Sequence, residues 1–219
     1  MTPSPDLPTT AGVDLYWLPL GAGDTTGCVR TNGKIYEAVV SRLERRPARD
    51  LFHAALQVTV GSTRCTIEMA PAWAGAVPED GVVREGPVGL RVLGRSRLFR
   101  YQVRCWRGGE IPDAAAAVGG PRRVSSDPWQ ARQLLAAIAA FPSATWGRDE
   151  LHAGEMWNSN SLVAWLLARS GHDMDHISPP ATGRAPGWRA GVVVAERRPV
   201  APALPDPQSR DPDAGRAGR

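Results

Sequence analysis

Apolar and polar positions along this chain predict its elements one at a time. VDLYWLPL (13–20) is a short apolar run closed by Pro19 and the glycines after it, which predicts a strand. In IYEAVVSRLERR, Ile35, Val39 and Leu43 recur at helical spacing, and a basic last turn suits the helix dipole, so a helix follows Asn32 and Gly33. LFHAALQVTV and TRCTIEMA are rich in β-formers and joined by Gly61 and Ser62, which predicts a hairpin. Residues 88–93 and 98–106 are expected as further strands, the second with Phe99, Tyr101, Val103 and Cys105 alternating against arginines and a glutamine. Asp127 and Pro128 open a helix that runs through WQARQLLAAIAAF to Pro142. NSLVAWLLARSG predicts another, opening near 158–160 and stopped by Gly171. The valine-rich AGVVVAE (190–196) is expected as a last strand.

Strands and helices segregated in this way predict an α+β domain, an antiparallel sheet packed against helices. The chain has 219 residues, 42% of them hydrophobic, which is material for one sizeable core. Residues 1–12 carry three prolines and read as a flexible leader; 197–219 combine Pro, Gly, Asp and Arg with little to bury and are expected to be disordered. The folded unit expected between them is 13–196.

Composition narrows the setting more than the function. There is no apolar stretch long enough for a membrane span and no signal-type start, so a cytoplasmic protein without integral membrane association is expected. Three cysteines (Cys28, Cys65, Cys105) with no C-x-x-C pair disfavour both a disulfide framework and structural zinc. The net charge of +4 is carried by scattered arginines, with Lys34 the only lysine, and no basic stripe with stacking aromatics suggests nucleic acid as a partner.

Two local motifs carry little chemistry. GAGDTTG (21–27) lacks the Lys-Ser/Thr ending of a phosphate-binding loop and reads as a surface turn. HDMDH places His172 and His176 four apart, but between a helix-ending glycine and Pro179, where a solvated loop is expected instead of a metal site. Neither metal nor organic cofactor is called for.

A third constellation is more specific. His53 opens the first hairpin strand, Glu68 lies on its partner strand, and Ser159 stands at the start of an apolar helix. A carboxylate beside an imidazole holds its tautomer and stabilises the imidazolium, and helix N-terminal N–H groups favour developing negative charge. Ser159 as nucleophile, His53 as base and Glu68 as orienter would then act on an amide or ester, with Asn158 and Asn160 beside the oxyanion and Trp157 and Trp73 lining a groove. His152 is a competing base. Each residue also has a plain reading: Ser159 or Ser161 as helix cap, Glu68 as a solvent-facing strand residue, His53 as a half-buried histidine.

The order of these features resembles the circularly permuted papain-like superfamily, which includes permuted NlpC-type amidases, relatives of lecithin retinol acyltransferase and the PPPDE peptidases. A histidine opening a hairpin, a polar residue on the next strand and, about 90 residues later, an Asn-x-Asn-Ser start to an apolar helix match over residues 50–171. The resemblance implies a permuted papain-like fold, and a hydrolase or acyltransferase taking a small-molecule, peptide or lipid acyl substrate without a cofactor. Ser159 stands where that superfamily has its cysteine. A hydroxyl needs a better-aligned base than a thiol does, so the alternative is a non-catalytic binding or scaffolding module that has lost its nucleophile.

Overall fold

The computed structural model describes residues 10–22, 28–73, 81–111 and 113–197; residues 1–9 of the expected leader, 23–27 of the glycine-rich turn and the expected tail from 198 onward lie outside the described residues. In chain order the elements are β1 (Ala11–Pro19), α1 (Cys28–Leu43), β2 (Asp50–Val60), β3 (Thr63–Pro71), β4 (Val82–Pro87), β5 (Arg100–Arg107), β6 (Arg122–Ser125), α2 (Pro128–Ala137), α3 (Ser159–Arg169), β7 (Gly183–Arg184) and α4 (Trp188–Glu196). The strands form one sheet in the order β4-β5-β3-β2-β1-β6, antiparallel throughout, and the short β7 adds in parallel to the start of β2. The fold is α+β. β1 begins at Ala11, inside the stretch expected as leader.

The sheet is covered differently on its two faces. Val13, Leu15 and Trp17 of β1, Phe52, Ala54, Leu56 and Val58 of β2, Ile67 and Met69 of β3, and Tyr101 and Val103 of β5 join the apolar faces of α2, α3 and α4 in the main core. These are alternate positions on each strand, as a period of two requires. The other face is more polar. A small cluster of Tyr16, Leu18, Ala55 and Ile111 sits there, with Ala114 and Ala117 packed against it. Around it, the Tyr16 hydroxyl donates to Gln57 Oε1 (2.9 Å) and Thr66 Oγ1 donates to the Gly109 carbonyl (2.6 Å), so buried polar groups are satisfied on that side.

Helix starts are decided locally. The Asp127 carboxylate accepts the Trp129 amide (2.8 Å) and Pro128 takes the first position of α2. α1 exposes Ile35, Val39 and Leu43, the stripe that signals it, and buries Gly33, Glu37 and Ser41 instead. Glu37 accepts hydrogen bonds from the Arg46 guanidinium and the Arg49 amide (2.9 Å) and lies 3.6 Å from Arg184 on β7, so α1 is held by charge more than by hydrocarbon.

Two expectations are corrected. Residues 88–93 are not a strand: the strand is β4, ending at Pro87, and residues 91–95 form a 3-10 turn that buries nothing. AGVVVAE is not a strand either, but most of α4. Its valines favour a pleated surface, yet Ala190, Gly191 and Ala195 make a small-residue face that fits closely on α3, and this tertiary contact outweighs local preference. Gly187, at φ 87°, turns the chain into α4.

A β-carbon at Gly191 would sit 2.4 Å from the Ser161 carbonyl oxygen and 2.9 Å from the Trp165 amide nitrogen, both backbone atoms of α3. Gly191→Ala is therefore expected to lower stability by about 2 kcal/mol despite alanine's higher helix propensity. Val192→Ala is expected to change it by well under half of that, with urea midpoints of the two variants as the measurement.

Candidate functional site

The start of α3 is built by the side chain of Asn158. Its Oδ1 accepts the backbone N–H groups of Asn160 (2.9 Å) and Ser161 (3.3 Å), and its Nδ2 donates to the Pro186 carbonyl (2.8 Å). Ser161 completes a reciprocal box, its hydroxyl accepting the Asn158 amide (3.1 Å) and donating to the Gly187 carbonyl (2.8 Å). Asn160 Nδ2 donates to the carbonyls of Phe52 (3.0 Å) and Pro186 (2.9 Å), which ties the helix start to β2, while its Oδ1 is buried without a partner. Asn158 and Asn160 thus hold structure together, and two of the helix-start donors that an oxyanion would need are already occupied.

Ser159 occupies the first helical position and is buried at 7% exposure. The hydrogen bonds at this end run through its neighbours, and none joins Ser159 to His53, Glu68 or His152 among the described residues. His53 is separated from it by the sheet. Its neighbours Phe52 and Ala54 point into the core beneath α3, whereas His53 lies on the alternate face with Ala55 and faces Asp113 across the sheet's polar side. The strand residue beneath the start of α3 is Phe52.

Glu68 shares the polar face with His53 but has a different partner. It lies opposite Arg104 on β5, with Oε1 3.4 Å from Nη1 of the guanidinium. Burial pushes its carboxyl above the usual value, against the pull of Arg104. Arg104 also donates to Gln102 Oε1, and Gln102 donates in turn to Glu85 (2.8 Å), so Glu68 belongs to a ladder of polar side chains across three strands.

The remaining candidates are dispersed. Trp157 is fully buried, stacked on Phe141 at 4.9 Å with its indole N–H donating to the Pro142 carbonyl, so it packs the core under the 142–158 loop. Trp73 is exposed at the end of β3. His152 is exposed at φ 51°. In HDMDH, His172 folds back on the end of α3, its Nδ1 within 3.0 Å of the Ser170 hydroxyl and 3.1 Å of the Leu167 carbonyl, while His176 points to solvent.

Two features escaped the sequence reading. Glu155 accepts the Gly187 amide (2.9 Å) and so braces the turn into α4; nothing in its local pattern marks it. Beside the start of β2, a cavity of about 770 Å³ is lined by Leu20, Leu51 and Phe52 together with Lys34, Glu37, Arg49, Asp50 and Asp113. Helix α1 walls one side of it. Comparison of the chain with protein-family models, with curated proteins and with solved structures gave no match.

Burial lowers the His53 imidazole to about 4, with Asp113 pulling weakly the other way. A base this weak is neutral at pH 7 and poorly matched to proton abstraction there. It has a consequence for stability. Between the ordinary value of 6.5 and about 4, the unfolded chain binds a proton that the folded chain excludes, so stability falls as pH falls through that window and levels off below it. Replacing His53 with Gln is expected to shrink the difference in unfolding free energy between pH 7 and pH 4 by up to about 3 kcal/mol, measured by denaturant titration of both proteins. The helix start has its own test. Asn158→Ala is expected to remove about 2 kcal/mol, because it leaves the amides of Asn160 and Ser161 without their acceptor and takes one of two donors from the Pro186 carbonyl.

Proposed function

We propose that this protein is a non-catalytic binding module and that the cavity beside β2 holds a short peptide. The observation that carries the reading is the placement of Ser159 and His53 on opposite faces of the sheet, with the donors at the start of α3 consumed by Asn158. Nucleophilic attack by a hydroxyl needs a base within hydrogen-bond reach, and among the described residues none is bonded to Ser159. The order of elements, a hairpin followed by an Asn-capped apolar helix laid across it, is what supports the papain-like resemblance; the reacting groups of that superfamily are not in contact here.

The cavity suits a peptide in shape and charge. Its lining combines the apolar Leu20, Leu51 and Phe52 with two cations, Lys34 and Arg49, and three carboxylates, Glu37, Asp50 and Asp113, which matches a segment bearing both an amino and a carboxylate group. At about 770 Å³ it has the size of ordinary ligand sites. Glu37, locked to Arg46 and Arg184, keeps the α1 wall in place, so the opening is pre-formed.

A fluorophosphonate probe is expected to leave Ser159 unlabelled in the folded protein. Labelling that disappears in His53→Ala would instead restore the hydrolase or acyltransferase reading. Free-terminus tetrapeptides titrated into labelled protein are expected to shift the amide resonances of Leu51 and Phe52 saturably. Ala38→Trp, which fills the cavity from the exposed side of α1, is expected to abolish the shift; a peptide panel that moves neither resonance would remove the cavity from consideration.

A further inference from the structure

The link between β4 and β5 has an unusual surface. Its ends are closed by the Val88 amide donating to the Phe99 carbonyl (2.8 Å), and between them lie two 3-10 turns, Arg91–Arg95 and Arg97–Phe99, neither of which buries a residue. Leu90, Val92, Leu93, Leu98 and Phe99 are all exposed, Val92 by 64% and Leu98 by 61%. They are five of the twelve exposed large apolar side chains among the described residues, gathered within ten positions, whereas such side chains are ordinarily scattered singly. This is also the stretch whose apolar pattern suggested a strand.

Charge is one-sided in the same place. Arg91, Arg95 and Arg97 interleave the apolar residues, Arg100 stands at the base, and no acidic residue occurs between Glu85 and Glu110. Arg148, exposed, donates to the Gly89 carbonyl (2.8 Å) and adds a further cation to the rim. Trp73 joins from β3: the adjacent Ala72 amide donates to the Arg100 carbonyl (2.8 Å), and its own carbonyl accepts from Arg97 (3.4 Å). Two rim arginines are neutralised, Arg91 by Glu150 (3.1 Å) and Arg100 by Glu85, and among the described residues Arg95, Arg97 and Arg148 have no ion-pair partner, which leaves the balance there positive.

The link is also held in shape. Glu150 accepts both the amide and the hydroxyl of Thr145 while gripping Arg91, and these bonds hold its carboxyl down at about 2. The Ser96 hydroxyl, the one uncharged polar side chain of the link, accepts the Leu98 amide (3.4 Å). The surface therefore offers aliphatic and aromatic tips with guanidinium groups between them, the pairing of apolar and cationic side chains that an anionic bilayer surface takes up. Only two rings, Phe99 and Trp73, accompany the four aliphatic tips Leu90, Val92, Leu93 and Leu98, which favours a hydrocarbon boundary over a row of stacked bases.

We propose that the β4–β5 link is a docking surface for an anionic lipid bilayer. Leu90, Val92, Leu98 and Phe99 enter the headgroup boundary with Trp73 beside them, and Arg95, Arg97 and Arg148 hold lipid phosphates. The attachment is peripheral, and it is independent of the peptide reading.

The test is co-sedimentation of the full chain with vesicles of equal parts phosphatidylcholine and phosphatidylglycerol, against vesicles of phosphatidylcholine alone. Partitioning onto the anionic vesicles is expected to exceed that onto the neutral ones by about tenfold and to fall as salt is raised. Val92→Ser with Leu98→Ser, both at exposed positions, is expected to cut binding about tenfold at an unchanged thermal midpoint, and Arg95→Gln with Arg97→Gln to erase the preference for anionic lipid. Absence of sedimentation with either vesicle would overturn the proposal, as would binding insensitive to both pairs. A concentration-dependent dimer that Val92→Ser with Leu98→Ser dissolves, in protein that ignores vesicles, would overturn it in favour of a second copy of the chain.

Discussion

Side chains on a strand alternate between faces, and on β2 the positions 52, 54, 56 and 58 are committed to the helices by the apolar groups they carry. Everything at the centre of the molecule follows from that commitment. Phe52 is set beneath the start of α3, its carbonyl receives the Asn160 carboxamide, and the odd positions, His53 and Gln57 among them, are sent to the polar face. A shift of one residue would exchange the two sets. It would bury Gln57 among Leu162 and Leu166 and lift Phe52 out of the core, so the register is strongly held.

This alternation was not legible along the chain, and the reason lies in particular residues. In LFHAALQVTV, Leu51, Ala54 and Ala55 are apolar on both parities, so the run does not announce which side of His53 is wet. The contrast that decides it comes from elsewhere: the polar ladder of Tyr16, Gln57, Thr66 and Glu68 needs one face to itself. The helix starts were legible because their physics is local. Asp127 before Pro128, and Asn158 three residues before Ser161, each satisfy orphan amides within one turn. At the start of α3 the cap is Asn158 itself, with Ser161 closing the box and Ser159 taking no part in it.

The two missed elements failed for opposite reasons. α4 is rich in valine and reads as a strand until α3 is present, when Ala190, Gly191 and Ala195 are seen to form the close-fitting side. The 88–93 stretch is apolar enough for a strand, but beyond Val88, which packs against the core, residues 90–93 contact too little of the molecule to be buried. Hydrophobicity in a sequence records a preference for leaving water, and it does not say what the residue will leave water for. α1 makes the same point, since its apolar stripe faces outward and charge holds its inner side.

Asn160 lies almost wholly out of solvent with one carboxamide oxygen unanswered, while its nitrogen serves two carbonyls from distant parts of the chain. A greasy residue there would pack in many ways; an amide has few tolerable orientations. Sliding α3 along the sheet by a turn would strand that amide, and the Asn158 amide with it, in hydrocarbon. The helix is thereby keyed to a single seat, and thermal loosening has no half-docked arrangement to stop at, so the α3–α4 pair should come off the sheet together with the collapse of the whole domain.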